Sequence, residues 1–110
     1  MEVTRGAIVL AAGPGDFARK PRPFLVVQSD IFNETHASFT LCPLTSWIGG
    51  ETLFRVPLAP SESTGLVEES EAQVDKMQSL RRERIVKVIA RAPTTVMEHV
   101  DQALRRWLAL

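Results

Sequence analysis

The sequence predicts a small, mainly antiparallel β-barrel closed by an amphipathic C-terminal helix. Three observations carry this. Short β-favouring runs recur between turn residues from Arg5 to Ala90. Helical periodicity of any length is confined to the last segment, where Val96, Val100, Ala103, Leu104 and Trp107 recur at helix spacing. The 110 residues suit one domain, residues 1–110, large enough to bury a single core without covalent staples.

The elements follow in order. Residues 5–12 form an apolar run of strand length with Ile8, Val9 and Leu10, stopped by the breaker Gly13-Pro14-Gly15. Residues 24–28 form a second strand around Val26-Val27. Ser29 and Asp30 offer an N-cap for a short helical turn over Ile31-Phe32-Asn33. Residues 37–44 read as a strand, with Phe39, Leu41 and Pro43 on one parity and Ser38, Thr40 and Cys42 on the other. Gly49-Gly50 marks a turn before the alternating residues 52–58, where Pro57 demands an edge position or a strand end. Residues 72–77 and 86–90 complete the strands. Thr95 with Glu98, after Pro93, is a capping-box pattern that opens a helix of about four turns. Its apolar stripe ends in Trp107 and Leu108, which places Trp107 against the core, while Asp101, Gln102, Arg105 and Arg106 fill the polar side.

Composition narrows the function classes. Hydrophobic residues at 45% and charged residues at 24% are ordinary globular values and exclude disorder. The longest apolar run, residues 6–12, is far short of a membrane span, and it lacks the flanks of a signal peptide. Cys42 is alone, which excludes an intrachain disulfide or a cysteine zinc site and suits a reducing cytoplasm. Thirteen Lys and Arg against thirteen Asp and Glu give zero net charge, which excludes gripping nucleic acid by bulk charge but not by a local patch. The charges are unevenly placed. Glu62, Glu68, Glu69, Glu71 and Asp75 are consecutive ionisable groups, and Arg81, Arg82, Arg84, Lys87 and Arg91 are interrupted only by Glu83. Arg19, Lys20 and Arg22 form a smaller cluster spaced by prolines. Such runs read either as solvated surface or as a basic face built from two distant segments with the acids elsewhere.

Familiar catalytic signatures are missing. Gly13-Pro14-Gly15 is not followed by the Lys-Ser/Thr of a phosphate-binding loop. His36 precedes a strand and His99 falls on the polar face of the helix, and no H-E-x-x-H pattern supports metal catalysis. No nucleophile-elbow motif supports a serine triad. Neither a metal nor a cofactor is expected. What does stand out is Lys20-Pro21-Arg22-Pro23 leading straight into a strand. A proline on each side restricts the backbone around Arg22, and a guanidinium binds phosphate bidentately at any working pH. Pro43-Leu44-Thr45-Ser46 ends another strand with two hydroxyls. If these strands are neighbours, arginine and hydroxyls converge on one phosphodiester; otherwise they are incidental turn residues.

The order and spacing of motifs resembles the MazF/PemK family of toxin endoribonucleases. Arg5-Gly6-Ala7-Ile8-Val9 looks like that family's opening Arg-Gly-Asp-Ile-Val strand, and Lys20-Pro21-Arg22-Pro23 with the residues to Asn33 looks like its arginine–proline motif. Pro43-Leu44-Thr45-Ser46 is similar to its Pro-Leu-Thr-Ser strand end. The stretch from Ser70 through Val74-Asp75-Lys76-Met77 to Ile85, and the ending from Met97 to Leu108, complete the likeness. The resemblance implies an SH3-like barrel of the MazF/CcdB type, acting as a homodimer that cuts single-stranded RNA without a metal. It implies a 2′,3′-cyclic phosphate and a 5′-hydroxyl as products. The implied catalytic residues are Arg22 and Thr45, with Arg19, Lys20, Ser46, Asp75, Lys76 and Gln78 positioning RNA. It also implies an antitoxin whose disordered acidic tail covers the RNA groove.

Chemistry supports part of this. An internal 2′-OH nucleophile needs alignment and charge stabilisation rather than an activated water. Arg22 suits charge stabilisation and is a poor base, and Thr45 is able to donate to a phosphate oxygen. Asp75, His36 or an arginine altered by its site are left as candidates to move the proton. Two departures stand out: Ala7 where the family carries an acid, and a short loop at residues 13–19 without the usual glutamate. Phe17 on that loop has a ring able to stack on a base or to fold onto the barrel. Two other classes compete: a gyrase-binding toxin of the CcdB type, which would not need Arg22 and Thr45, and a non-catalytic SH3-like RNA- or protein-binding module.

Overall fold

The computed structural model describes residues 2–12, 20–50, 53–62 and 64–110. Strands β1 (Ala7–Ala11), β2 (Arg22–Val26), β3 (Ser38–Thr45), β4 (Arg55–Leu58), β5 (Ser70–Gln73), β6 (Gln78–Arg81) and β7 (Ile85–Arg91) form one antiparallel sheet. Helix α1 (Asp30–Asn33) links β2 to β3, and helix α2 (Thr94–Leu108) ends the chain. The strand order is β4-β5-β3-β2-β1-β7, with β6 paired to the far half of β3. The mainly β fold with a terminal helix is as expected. Among the described residues the strand path is open, with β4 and β7 at its ends.

Alternation along the strands buries both faces. Ile8, Leu25, Cys42, Leu44, Val56, Leu58, Ala72 and Val74 form one cluster, joined by Val100 and Ala103 from α2. Ala7, Val9, Phe24, Val26, Phe39, Leu41, Leu80 and Ile85 form the other. Burying a side chain such as Leu58, which is fully enclosed, contributes about 2 kcal/mol. Ala7 sits in the second cluster at 1% exposure, so an acid at this position would meet apolar neighbours.

Local chemistry sets the connections. Gly6 takes φ +91° at the entry to β1, its N–H bonding the Val26 carbonyl. Ser29 caps α1, its Oγ accepting from the Ile31 N–H. Asp30 accepts the Arg5 backbone N–H at 2.7 Å, which, with help from Asn33, holds its carboxyl below the usual range. Pro57 lies in β4, an edge strand paired only with β5, where a missing N–H is tolerated.

Four expectations need correction. The strand expected at residues 72–77 begins earlier and stops at Gln73, because the chain turns through a 3-10 helix at Val74–Lys76. β6 was not foreseen: Gln78–Arg81 has one buried residue, Leu80, and is a strand because β3 pairs it. The capping box does not form: α2 starts at Thr94 with Pro93 at its N-cap, and no side chain caps it. The Met97 N–H bonds the Pro93 carbonyl, so Thr95 already lies inside the first turn. Trp107 is 46% exposed and rests edge-on against Phe54, ring centroids 5.0 Å apart, at the margin of the core.

Candidate functional site

Arg22 opens β2 between Pro21 and Pro23, opposite Ala11 of β1, with its side chain exposed. Thr45 closes β3. The β2–β3 pairing ends with Phe24 opposite Pro43, and Arg22 and Thr45 lie two residues beyond it on the two strands. The two strand ends therefore are neighbours, as the motif reading required. On the other side of β3, Thr45 pairs with Glu71 of β5. Thr45 and Glu71 thus face each other about 5 Å apart at the backbone, with β2 and Arg22 on the other side of β3.

An open cavity of about 480 Å³ is lined by Arg22, Thr45 and Ser46 together with Leu66, Val67, Glu68, Ser70 and Gln73, and Glu71 does not line it. The Thr45 hydroxyl accepts the Trp47 N–H at 3.1 Å, which fixes its rotamer at the point where the chain leaves the sheet. Glu71 is 6% exposed, and its Oε1 has no hydrogen-bond partner among the described residues.

The structure brings Arg22, Thr45 and Ser46 together at this cavity. Lys20 is exposed two residues before Arg22 and does not line it. Asp75, Lys76 and Gln78 also lie outside the lining. Asp75 is held by Arg55 in a two-toothed contact of 3.0 and 3.2 Å. Arg19 and Phe17, with the rest of residues 13–19, fall outside the described residues. His36 is exposed beside Ser38, whose N–H it accepts, at the opposite end of β3 from Thr45.

The basic run at 81–91 does not reach the cavity. Arg81 pairs with Glu83 at 3.2 Å. Arg82 binds the carbonyls of Asn33 and His36 and lies 4.5 Å above the Phe39 ring. Arg91 binds Thr4 and the Arg5 carbonyl. The acids are nearer than the charge partition implied, with Glu68 lining the cavity and Glu71 across from Thr45. Sequence reasoning missed Glu68, Ser70, Glu71 and Gln73 as site neighbours. Only the β3–β5 register, a non-local pairing, puts them there.

Among the described residues no group of three or more His, Cys, Asp or Glu is placed to hold a metal. No described helix is long and apolar enough to cross a membrane.

The antiparallel sheet with its packed terminal helix thus carries, on one open cleft, an arginine set between two prolines and an anchored hydroxyl. Residues 4–108 match the family described as PemK-like, MazF-like toxin of type II toxin-antitoxin system, and the chain belongs to that family. It is 35% identical over 106 residues to the probable endoribonuclease MazF of Mycolicibacterium smegmatis, covering 96% of each chain. It is 32% identical over 101 residues to endoribonuclease MazF9 of Mycobacterium tuberculosis, covering 87% of this chain and 85% of that one. Among solved structures, a MazE-MazF crystal structure from Deinococcus radiodurans superposes with a TM-score of 0.81 at 27% identity, covering 100% and 98% of the two chains. An endoribonuclease from a mycobacterial species in complex with its cognate antitoxin shares the fold, with a TM-score of 0.82 at 19% identity over 99% and 97%.

Proposed function

We propose that this chain is the endoribonuclease toxin of a toxin–antitoxin module, cleaving single-stranded RNA at short sequences without a metal. The observation that carries the reading is Arg22 and Thr45 at neighbouring strand ends on one open cleft. The ribose 2′-oxygen attacks the adjacent phosphorus, the bond to the 5′-oxygen breaks, and the ends are a 2′,3′-cyclic phosphate and a 5′-hydroxyl. Arg22, fixed by its prolines, neutralises charge that grows on the non-bridging oxygens. Ser46 shares the cleft, and Lys20, Arg19, Asp75, Lys76 and Gln78 are the further candidates for contacts to RNA. The active form is a cytoplasmic homodimer. Trp47, Ile48 and Leu53, exposed at 72%, 51% and 56%, offer apolar footing beside the cleft for an antitoxin segment that folds on binding. An acidic tail on that partner would compete with RNA for Arg22.

The test is digestion of a long RNA in the presence of a chelator, with both fragment ends mapped. Cyclic-phosphate ends are expected, and sequencing them reads the cleavage motif. Arg22→Ala should slow cleavage by about 10²–10³ while the protein melts as the parent does. Thr45→Val should fold normally and lose most of the activity. RNA left intact by a folded, antitoxin-free preparation would sink the proposal.

A further inference from the structure

Glu71 is a charged side chain buried to 6% exposure in a short strand, and its Oε1 lacks any hydrogen-bond partner among the described residues. Such an oxygen ordinarily costs stability, and proteins keep few of them. Its position is specific, directly across from Thr45 and on the side of β3 away from Arg22. Thr45 has a matching gap. Its hydroxyl accepts from the Trp47 N–H and has no acceptor for its own proton among the described residues. A hydroxyl carries one donor and two acceptor sites. No hydrogen bond joins the Thr45 hydroxyl to Glu71 in the free protein, so the Glu71 side chain has to turn to bring its carboxylate to that donor, leaving the second acceptor site to face the cleft. Cross-strand partners sit close enough for a glutamate to reach.

We propose that Glu71 is a positioning residue that turns Thr45 into a proton relay, an inference that rests on the endoribonuclease reading above. With RNA bound, the substrate 2′-OH donates to the Thr45 oxygen, and the Glu71 carboxylate turns to accept the Thr45 proton. As the 2′-oxygen bonds to phosphorus, the 2′-proton passes to Thr45 and the Thr45 proton to Glu71, leaving Glu71 a neutral acid. The bond from phosphorus to the 5′-oxygen breaks, and the departing oxygen takes a proton from solvent. Glu71 returns its proton to solvent by the same route. Charge on the non-bridging oxygens then falls to Arg22 and Ser46, because the Thr45 proton points the other way. The other candidates are elsewhere: Asp75 is held by Arg55, and His36 is at the far end of β3.

The relay predicts opposite movements of stability and activity. Glu71→Gln and Glu71→Val both remove a buried carboxylate whose Oε1 has no partner in the free protein, so each should melt at or above the parent temperature. Each should lower kcat for RNA cleavage by about 10²-fold or more, with KM changed by less than about threefold. Glu71→Asp should recover part of the lost kcat. Because Glu71 acts through Thr45, the Thr45→Val/Glu71→Gln double variant should be no slower than Thr45→Val alone. Unchanged kcat in both Glu71→Gln and Glu71→Val overturns the relay, as does a matched loss of stability and activity, or multiplicative losses in the double variant. A parent that leaves RNA uncut overturns the endoribonuclease reading and the relay together. A cutting parent with fully active Glu71 variants overturns the relay alone.

Discussion

Cys42 faces the helix-side cluster from the middle of β3 and is fully enclosed. Burial pushes its thiol up from 9.0 to about 12, with the Asp75 charge acting in the same direction. The thiolate is the reactive form, so the native protein should resist iodoacetamide at pH near 8 and label fully once unfolded. Mass spectrometry of the two samples checks this, and rapid labelling of the folded protein would contradict the packing. The sign of the accompanying pH effect follows from the same shift. A raised pKa stabilises the folded protein while the thiol stays neutral, and the contribution disappears as pH climbs from about 9 to about 12. Cys42→Ala should remove that part of the alkaline decline in melting temperature. Its small cavity also costs about 1 kcal/mol at neutral pH.

The segment between β4 and β5 depends on two requirements at one residue. Gly65 has φ +67°, and a Cβ there would stand 2.1 Å from Ile89 Cγ2 of β7. Its N–H bonds the Ser61 carbonyl, while buried Thr64 ties the same turn to Ala59 and Ser61. Gly65→Ala should therefore destabilise the protein by about 2 kcal/mol or more, read as a shift of the urea midpoint. A neutral result would mean that Ile89 moves freely. The turn also presents Leu66, Val67 and Glu68 to the cleft, so cleavage should weaken as the turn loosens. Elements of this kind divide the sequence into a legible part and a hidden one. The β1, β2 and β3 runs announce themselves because both faces of the sheet are buried there and their apolar residues are dense, while β7 shows through its β-branched residues alone. Proline stiffness and a strand-end hydroxyl left open whether Arg22 and Thr45 meet, the family resemblance selected the pair, and the two share one cavity. β6 was hidden because one buried leucine carries no period, and its pairing with β3 supplies the strand. The Thr95–Glu98 pattern misled because a local cap signal yields when the preceding proline already has the geometry to start the helix. Glu71 was read as a solvated acid, since nothing near it in sequence reveals that β3 will cover one side and β4 the other.

Zero net charge at the scale of the whole molecule comes with most described arginines occupied within the fold. Arg5 meets Asp101 at 2.7 Å, Arg55 meets Asp75, and Arg106 binds the Leu53 carbonyl. Arg81, Arg82 and Arg91 are held as described above. Among the described residues Arg22 is the cation that lines the cleft, and Glu68 lines it too. A nucleic acid held there would neutralise few phosphates, about two per cleft if Lys20 joins. Each contact with a single strand contributes roughly −0.7 to the slope of log affinity against log salt, so the slope should be about −1.4. Fluorescence anisotropy measures it, using a short oligonucleotide blocked by 2′-deoxy substitution, between about 50 and 200 mM salt. Glu68→Gln should tighten binding at every salt concentration without steepening the line, because it removes a repulsion and adds no contact. Arg22→Ala should flatten the line by about one contact. A parent slope steeper than about −4 would mean that a broad basic surface takes part. The residues 81–91 would then have to leave their present partners to bind RNA. Shallow dependence is what a cutter of short sites requires, since weak, brief attachment lets each cleaved strand go.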